Sequence, residues 1–238
     1  MTRLILLFVI VAVSTVAAAT ADEVAVRATL LRLFPHSSTQ EISKTPIPGL
    51  FEAAIDGRIV YVTGDGRYLL GGPIFDVNAD QNLTDIRLEQ INMIPFGSLP
   101  LEWAFKRVKG TGARKIAIFV GPDCAYCRVL EQSLKSIDNL TVYVFLFPIE
   151  QIHPGAAAKS VAVWCAKDQL KAWDEIAQIG TTPPGAVTCE NPIPKIVEFA
   201  KKHRITGTPT TILEDGRRLV GAVPRAELEA QLQRSSKR

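Results

Sequence analysis

Cysteine is scarce in this chain: four residues among 238. That is too few for a disulfide-scaffold miniprotein. An excess of one charge is also missing. Lys and Arg number 27 against 24 Asp and Glu, a net charge of +3. No basic block runs beyond two or three residues, so a phosphate-backbone partner is not indicated. Internal repeats and low-complexity stretches are absent. Histidine is limited to His36, His153 and His203, which are isolated from one another. What is present is an ordinary globular balance, 47% hydrophobic and 21% charged, which argues against disorder.

The N-terminus reads as a targeting segment. Arg3 is the only charge before Asp22, and residues 4–13 are uninterruptedly apolar. Ten residues fall short of the roughly 20 that span a bilayer. Small residues follow, ending in Ala19-Thr20-Ala21. A charged start, a short apolar core and an Ala-x-Ala end predict a secretory signal peptide over 1–21, with a cut after Ala19 as the alternative. A signal anchor that stays attached is the competing reading. Removing 21 of the 238 residues leaves 217. These would face an oxidising compartment, a bacterial periplasm, where cysteines can pair stably.

The mature chain falls into blocks. Residues 23–34 form a short amphipathic pattern on Val26, Leu30, Leu33 and Phe34, stopped by Pro35. Short strands are predicted over 50–55, 58–63, 67–70 and 74–77. Asp56-Gly57 and Asp65-Gly66 mark turns between the first three. A block of about 57 residues is small for an independent core. Open sheet edges of this kind can pair with a second copy. Residues 82–94 read as a connecting helix, either a spacer or an ordinary surface helix. From about 101 onward, strand and helix alternate. Strands are predicted over 115–120, 141–147, 210–213 and 217–222. Helices are expected from 127, over 155–170 and 173–179, and over 193–202 and 224–233. Thr181-Thr182-Pro183-Pro184-Gly185 breaks the pattern. This is an α/β layer plan.

Cys124-Ala125-Tyr126-Cys127 lies between a predicted strand and a predicted helix. The first sulfur of such a pair meets the unpaired N–H groups and positive end of the helix. That favours thiolate over thiol, and the thiolate is the attacking species in disulfide exchange. Cys124 is therefore the expected nucleophile and Cys127, one turn further in, the resolving thiol. A zinc site would need two further ligands, and the sequence has no second C-x-x-C. A purely structural bridge across two residues closes too little chain to stabilise much. No metal and no cofactor is expected. Thr208-Pro209 precedes the apolar strand 210–213. A cis bond there would turn the Thr208 backbone toward an incoming peptide. Phe119 is read as core and His153 as a surface-loop residue without a partner.

With these motifs on the page, the mature chain resembles the DsbC/DsbG family of periplasmic disulfide isomerases, built on the thioredoxin fold. The resemblance rests on Cys124 to Cys127 with Tyr126 before the second cysteine, and on Thr208-Pro209. It also rests on the run GRIVYVTGDGRYLLGGPIFDV at 57–77 and on Trp164-Cys165-Ala166-Lys167-Asp168. It implies an α+β N-terminal dimerisation domain over 22–78, a linker helix over 79–100, and an α/β thioredoxin-like domain with a helical insertion over 101–238. It further implies a V-shaped homodimer whose apolar cleft holds misfolded, disulfide-containing proteins. Cysteines kept reduced by a DsbD-type membrane reductase are implied as well. Cys165 and Cys189 match positions that form a structural disulfide in such proteins. Thr208, Pro209 and, from its place beside the motif, Tyr126 are the expected substrate-binding residues. The implied activity is isomerisation of non-native disulfides. The alternatives are DsbG-like reduction of oxidised thiols and a mainly holdase chaperone role. Two departures stand out. Ala125 replaces the Gly expected in DsbC and the Pro expected in DsbG. The strand 115–120 also lacks the buried carboxylate of thioredoxins, so Cys127 must lose its proton by another route, such as to water.

Overall fold

The structure is a computed structural model that describes residues 20–37, 41–179 and 189–236. Most of the expected signal peptide, and the break at 181–185, lie outside the described residues. The chain divides into two compact units between Gly72 and Pro73.

The first unit opens with α1 (Ala21–Leu33). Thr20 caps it: its hydroxyl accepts from the Glu23 amide at 3.3 Å, and the Glu23 carboxylate accepts from the Thr20 amide at 3.1 Å. A cut after Ala21 would remove this cap, and a cut after Ala19 would leave it. Four antiparallel strands follow, in order β1 (Glu41–Lys44), β2 (Leu50–Ile55), β3 (Arg58–Thr63) and β4 (Leu69–Leu70). Val26 and Leu30 of α1 bury against Phe51, Ala53, Ile55 and Val62. β4 is shorter than the expected 67–70 because Asp65 pulls the chain into a turn. Its Oδ1 accepts from the Thr63 hydroxyl at 2.5 Å and from the Arg67 amide at 3.0 Å. β4 lies at the sheet edge, with Leu69, Leu70 and neighbouring Tyr68 exposed.

The second unit begins with the small hairpin β5 (Phe75–Asp76) and β6 (Gln81–Asn82), then α2 (Leu83–Ile91), capped by Asn82. The end of this helix is fastened to the rest of the unit. The Ile94 amide donates to the Gly216 carbonyl at 2.9 Å, and the buried Arg217 guanidinium meets Glu89 at 3.5 Å. Five strands then form one sheet: β7 (Phe105–Lys109), β8 (Arg114–Val120), β9 (Leu140–Leu146), β10 (Thr210–Leu213) and β11 (Arg218–Val220). Their spatial order is β11-β10-β8-β9-β7. Only β8 and β9 are parallel, joined through α3 (Ala125–Lys135), as a parallel pair requires. Phe119 pairs in register with Phe145, and their rings stack at 4.7 Å. Phe119 is thus core, as expected.

The helical insertion after β9 differs from the sequence reading. One helix was expected over 155–170, but α4 (Ala156–Trp164) stops at Cys165 and α5 (Gln169–Ile179) starts afresh. Polar side chains force the break. Gln169 donates to the Trp164 carbonyl at 2.7 Å, and Asp168 Oδ1 accepts from the Lys171 amide at 3.0 Å. α6 (Ile193–Lys202) and α7 (Arg225–Ser235) complete the unit. Among the described residues, no helix is long and apolar enough to cross a membrane.

Candidate active site

The site forms where β8 runs out into α3. Gly121 leaves the strand so close to the neighbouring chain that a Cβ would sit 3.1 Å from the Phe147 carbonyl. Asp123 then adopts a left-handed conformation, φ 66°, which an Asp tolerates better than most residues. The turn delivers Cys124 as the N-cap of α3. Its sulfur accepts from the Cys127 amide at 3.2 Å, taking the role that a Ser or Asp oxygen usually plays.

Thr208-Pro209 arrives from the start of β10, joined by a cis bond. The Cys124 thiol can donate to the Thr208 carbonyl at 3.3 Å. The structure therefore brings Cys124, Cys127, Thr208 and Pro209 together. Tyr126, on the first turn of α3, points outward and is 69% exposed.

The two sulfurs are electrostatically opposite. Cys124 is 4% exposed and Cys127 1%. The hydrogen bond from the Cys127 side chain, with help from Thr208 and the Cys127 amide, lowers Cys124 from the ordinary 9.0 to about 6. The electrostatic interaction with His153 lowers it further. At pH 7 a thiol with that midpoint is about nine-tenths thiolate. Burial drives Cys127 the other way, far above the ordinary thiol range, with further contributions from Cys124. A negative charge on one sulfur opposes a second negative charge on its neighbour.

Two neighbours were missed in the sequence. His153, which looks partnerless in the sequence, stands within electrostatic reach of Cys124. Its loop is shaped by Glu150, whose carboxylate accepts from the amides of Gly155 and Ala157. Lys159, on the first turn of α4, places its ammonium 2.8 Å from both carboxylate oxygens of Asp123. No local pattern signals either contact, because each joins segments about thirty residues apart in the chain.

No carboxylate lies on β8, but one is buried one turn beyond Cys127. Glu131, on α3 and 3% exposed, receives Arg107 at 2.5 Å and the Trp173 indole N–H at 2.7 Å. The other two cysteines, Cys165 at the end of α4 and Cys189 before α6, form a disulfide with Cα atoms 5.8 Å apart.

Residues 101–236 match a family described as thioredoxin-like domain, and residues 17–85 match one described as disulfide bond isomerase protein N-terminal domain. The chain is 36% identical over 208 residues to the probable thiol:disulfide interchange protein DsbC of Bordetella parapertussis, covering 87% of this chain and 73% of that one. It is 26% identical over 224 residues to the thiol:disulfide interchange protein DsbC of Escherichia coli, covering 92% and 91%. A disulfide interchange protein of Neisseria gonorrhoeae, solved by crystallography, is 35% identical. It superposes with a TM-score of 0.55 over 58% of this chain and 98% of its own.

Proposed function

The chain belongs to the DsbC family of thiol:disulfide interchange proteins, and from that premise we propose that it isomerises non-native disulfides with Cys124 as the nucleophile and Cys127 as the resolving thiol. The Cys124 thiolate attacks one sulfur of a substrate disulfide. A new S–S bond forms to Cys124, the substrate S–S bond breaks, and the departing substrate sulfur leaves as a thiolate. That thiolate then attacks another disulfide of the same substrate. The rearranged chain finally expels Cys124, so no net electrons are exchanged. In the competing route Cys127 attacks Cys124, its proton passes to solvent or to the leaving thiolate, and the substrate departs reduced.

The observation that carries this reading is the asymmetry of the two thiols. Cys124 is largely ionised at neutral pH, while Cys127 is buried and held protonated. A poor resolving thiol lengthens the life of the mixed disulfide, which gives the substrate time to rearrange. Thr208 and Pro209, beside the Cys124 sulfur, and the exposed ring of Tyr126 are suited to receive the substrate chain. Cys165–Cys189 serves as the structural disulfide.

The wider organisation follows the same reading: a dimerisation domain over 22–78, a linker over 79–100 and a catalytic domain over 101–238. The exposed apolar edge at β4 supports a homodimer formed by strand addition. The protein works in the periplasm on disulfide-containing secreted proteins, and a DsbD-type membrane reductase keeps Cys124 and Cys127 reduced. Sedimentation at micromolar concentration is expected to give a dimer.

The test is recovery of activity from a scrambled multi-disulfide substrate by the reduced mature protein. Recovery that vanishes in Cys124→Ser is the expected result. No recovery by the unaltered dimer would overturn isomerisation. Suppression of aggregation retained in Cys124→Ser would then point to a holdase.

A further inference from the structure

Asp123 immediately precedes the nucleophile in the chain, and a negative charge beside a thiol opposes its ionisation. The turn that delivers Cys124 also fixes that carboxylate, through its left-handed backbone at φ 66°. Only one cation meets it among the described residues: Lys159, 2.8 Å from each oxygen. Asp123 and Lys159 side chains are 33% and 32% exposed. Pairs this wet contribute little to stability, typically under about 1 kcal/mol. The bidentate contact therefore calls for a reason beyond holding the fold.

We propose that Lys159 is a positioning residue for disulfide exchange: by pairing with Asp123 it cancels the carboxylate next to Cys124 and holds the turn that presents the sulfur to the N-terminus of α3. The proposal rests on the assignment of Cys124 as nucleophile. Cys127, on α3, and His153 act on that sulfur. Asp123 lies on the turn beside it in the chain and meets Lys159, which lies with His153 on the segment between β9 and the first turn of α4. Glu150, in the same segment, is taken up by the Gly155 and Ala157 amides rather than by either cation. One segment, distant in sequence from the C-x-x-C motif, thus carries both His153 and Lys159. Lys159 balances the carboxylate, and His153 acts on the sulfur.

An uncompensated like charge close to a thiol raises its midpoint by about one pH unit or more. The measurement is the pH dependence of Cys124 alkylation and thiolate absorbance, in full mature protein carrying Cys127→Ser so that one thiol titrates. Against the Cys127→Ser parent, Lys159→Met is expected to raise the midpoint by about one pH unit and to slow alkylation at the parent's own midpoint about fivefold. Adding Asp123→Asn to Lys159→Met is expected to restore the midpoint. Lys159→Arg is expected to keep it. Asp123→Asn alone is expected to leave it unchanged or lower, and this variant keeps the test decisive if Lys159→Met fails to fold.

A folded Lys159→Met with an unaltered midpoint would overturn the proposal. So would a double variant no better than Lys159→Met, which would mark Lys159 as merely structural, and so would a raised midpoint in Asp123→Asn. The parent assignment fails separately, through isomerase activity that persists in Cys124→Ser.

Discussion

Cys124 and Cys127 are three positions apart and remain thiols, whereas Cys165 and Cys189 are 24 apart and bridged. The first pair sits at the start of a helix, where the Cys127 amide and the Thr208 side chain favour a charged sulfur at Cys124. The second ties the end of α4 to the segment that leads into α6. Closing a two-residue loop constrains little of the unfolded chain, so the near pair gains little from oxidation. Closing the longer loop is worth about 3 kcal/mol in a chain-entropy treatment. Spacing and local donors, rather than the cysteine itself, decide which pair stays as thiols and which one is bridged.

The largest expected effect breaks the comparison at its reactive end. Cys124→Ser should abolish isomerisation in the scrambled-substrate assay while leaving the denaturation midpoint nearly unchanged. The converse comes next. Replacing both Cys165 and Cys189 with Ala should cost about 3 kcal/mol in chemical denaturation and leave the alkylation midpoint of Cys124 where it was. Cys124 reactivity should fall about tenfold between pH 7 and pH 5, with a midpoint of about 6. The same depressed midpoint makes the thiolate a stabilising group above the ordinary thiol value of 9.0. That stabilisation is lost progressively as pH falls to about 6. The smallest effect sharpens the contrast within α3 itself. Glu131→Gln keeps an acceptor for Trp173 but weakens the ion pair with Arg107, so a loss of about 1 kcal/mol is expected. The Cys124 titration should not move.

Much of this was legible before any coordinates. β2, β3, β10 and α6 fall at their expected residues because their apolar spacing and flanking turn residues agree. The C-x-x-C motif announced its chemistry through its place between strand and helix. β7 was not legible. Its Phe-Lys-Arg-Val-Lys run looks like surface, because it is an edge strand paired on one side only, with β9. β1 is four residues long and offers too short a pattern. The break between α4 and α5 rests on Asp168 and Gln169 hydrogen bonds rather than on a Gly or Pro. The contacts of His153 and Lys159 depend on tertiary approach, which periodicity does not encode.

The fastening of α2 bears on how this protein can be divided and inherited. Ile94 and Leu99 lie in the same apolar core as the five-stranded sheet, and the Ile94 amide is spoken for by Gly216. A fragment beginning at residue 101 would open that core and leave the Gly216 carbonyl and part of the Arg217 guanidinium to water. The smallest transferable module that keeps these bonds includes α2. Recombination or truncation within residues 83–100 should therefore give insoluble product more often than a cut at Gly72.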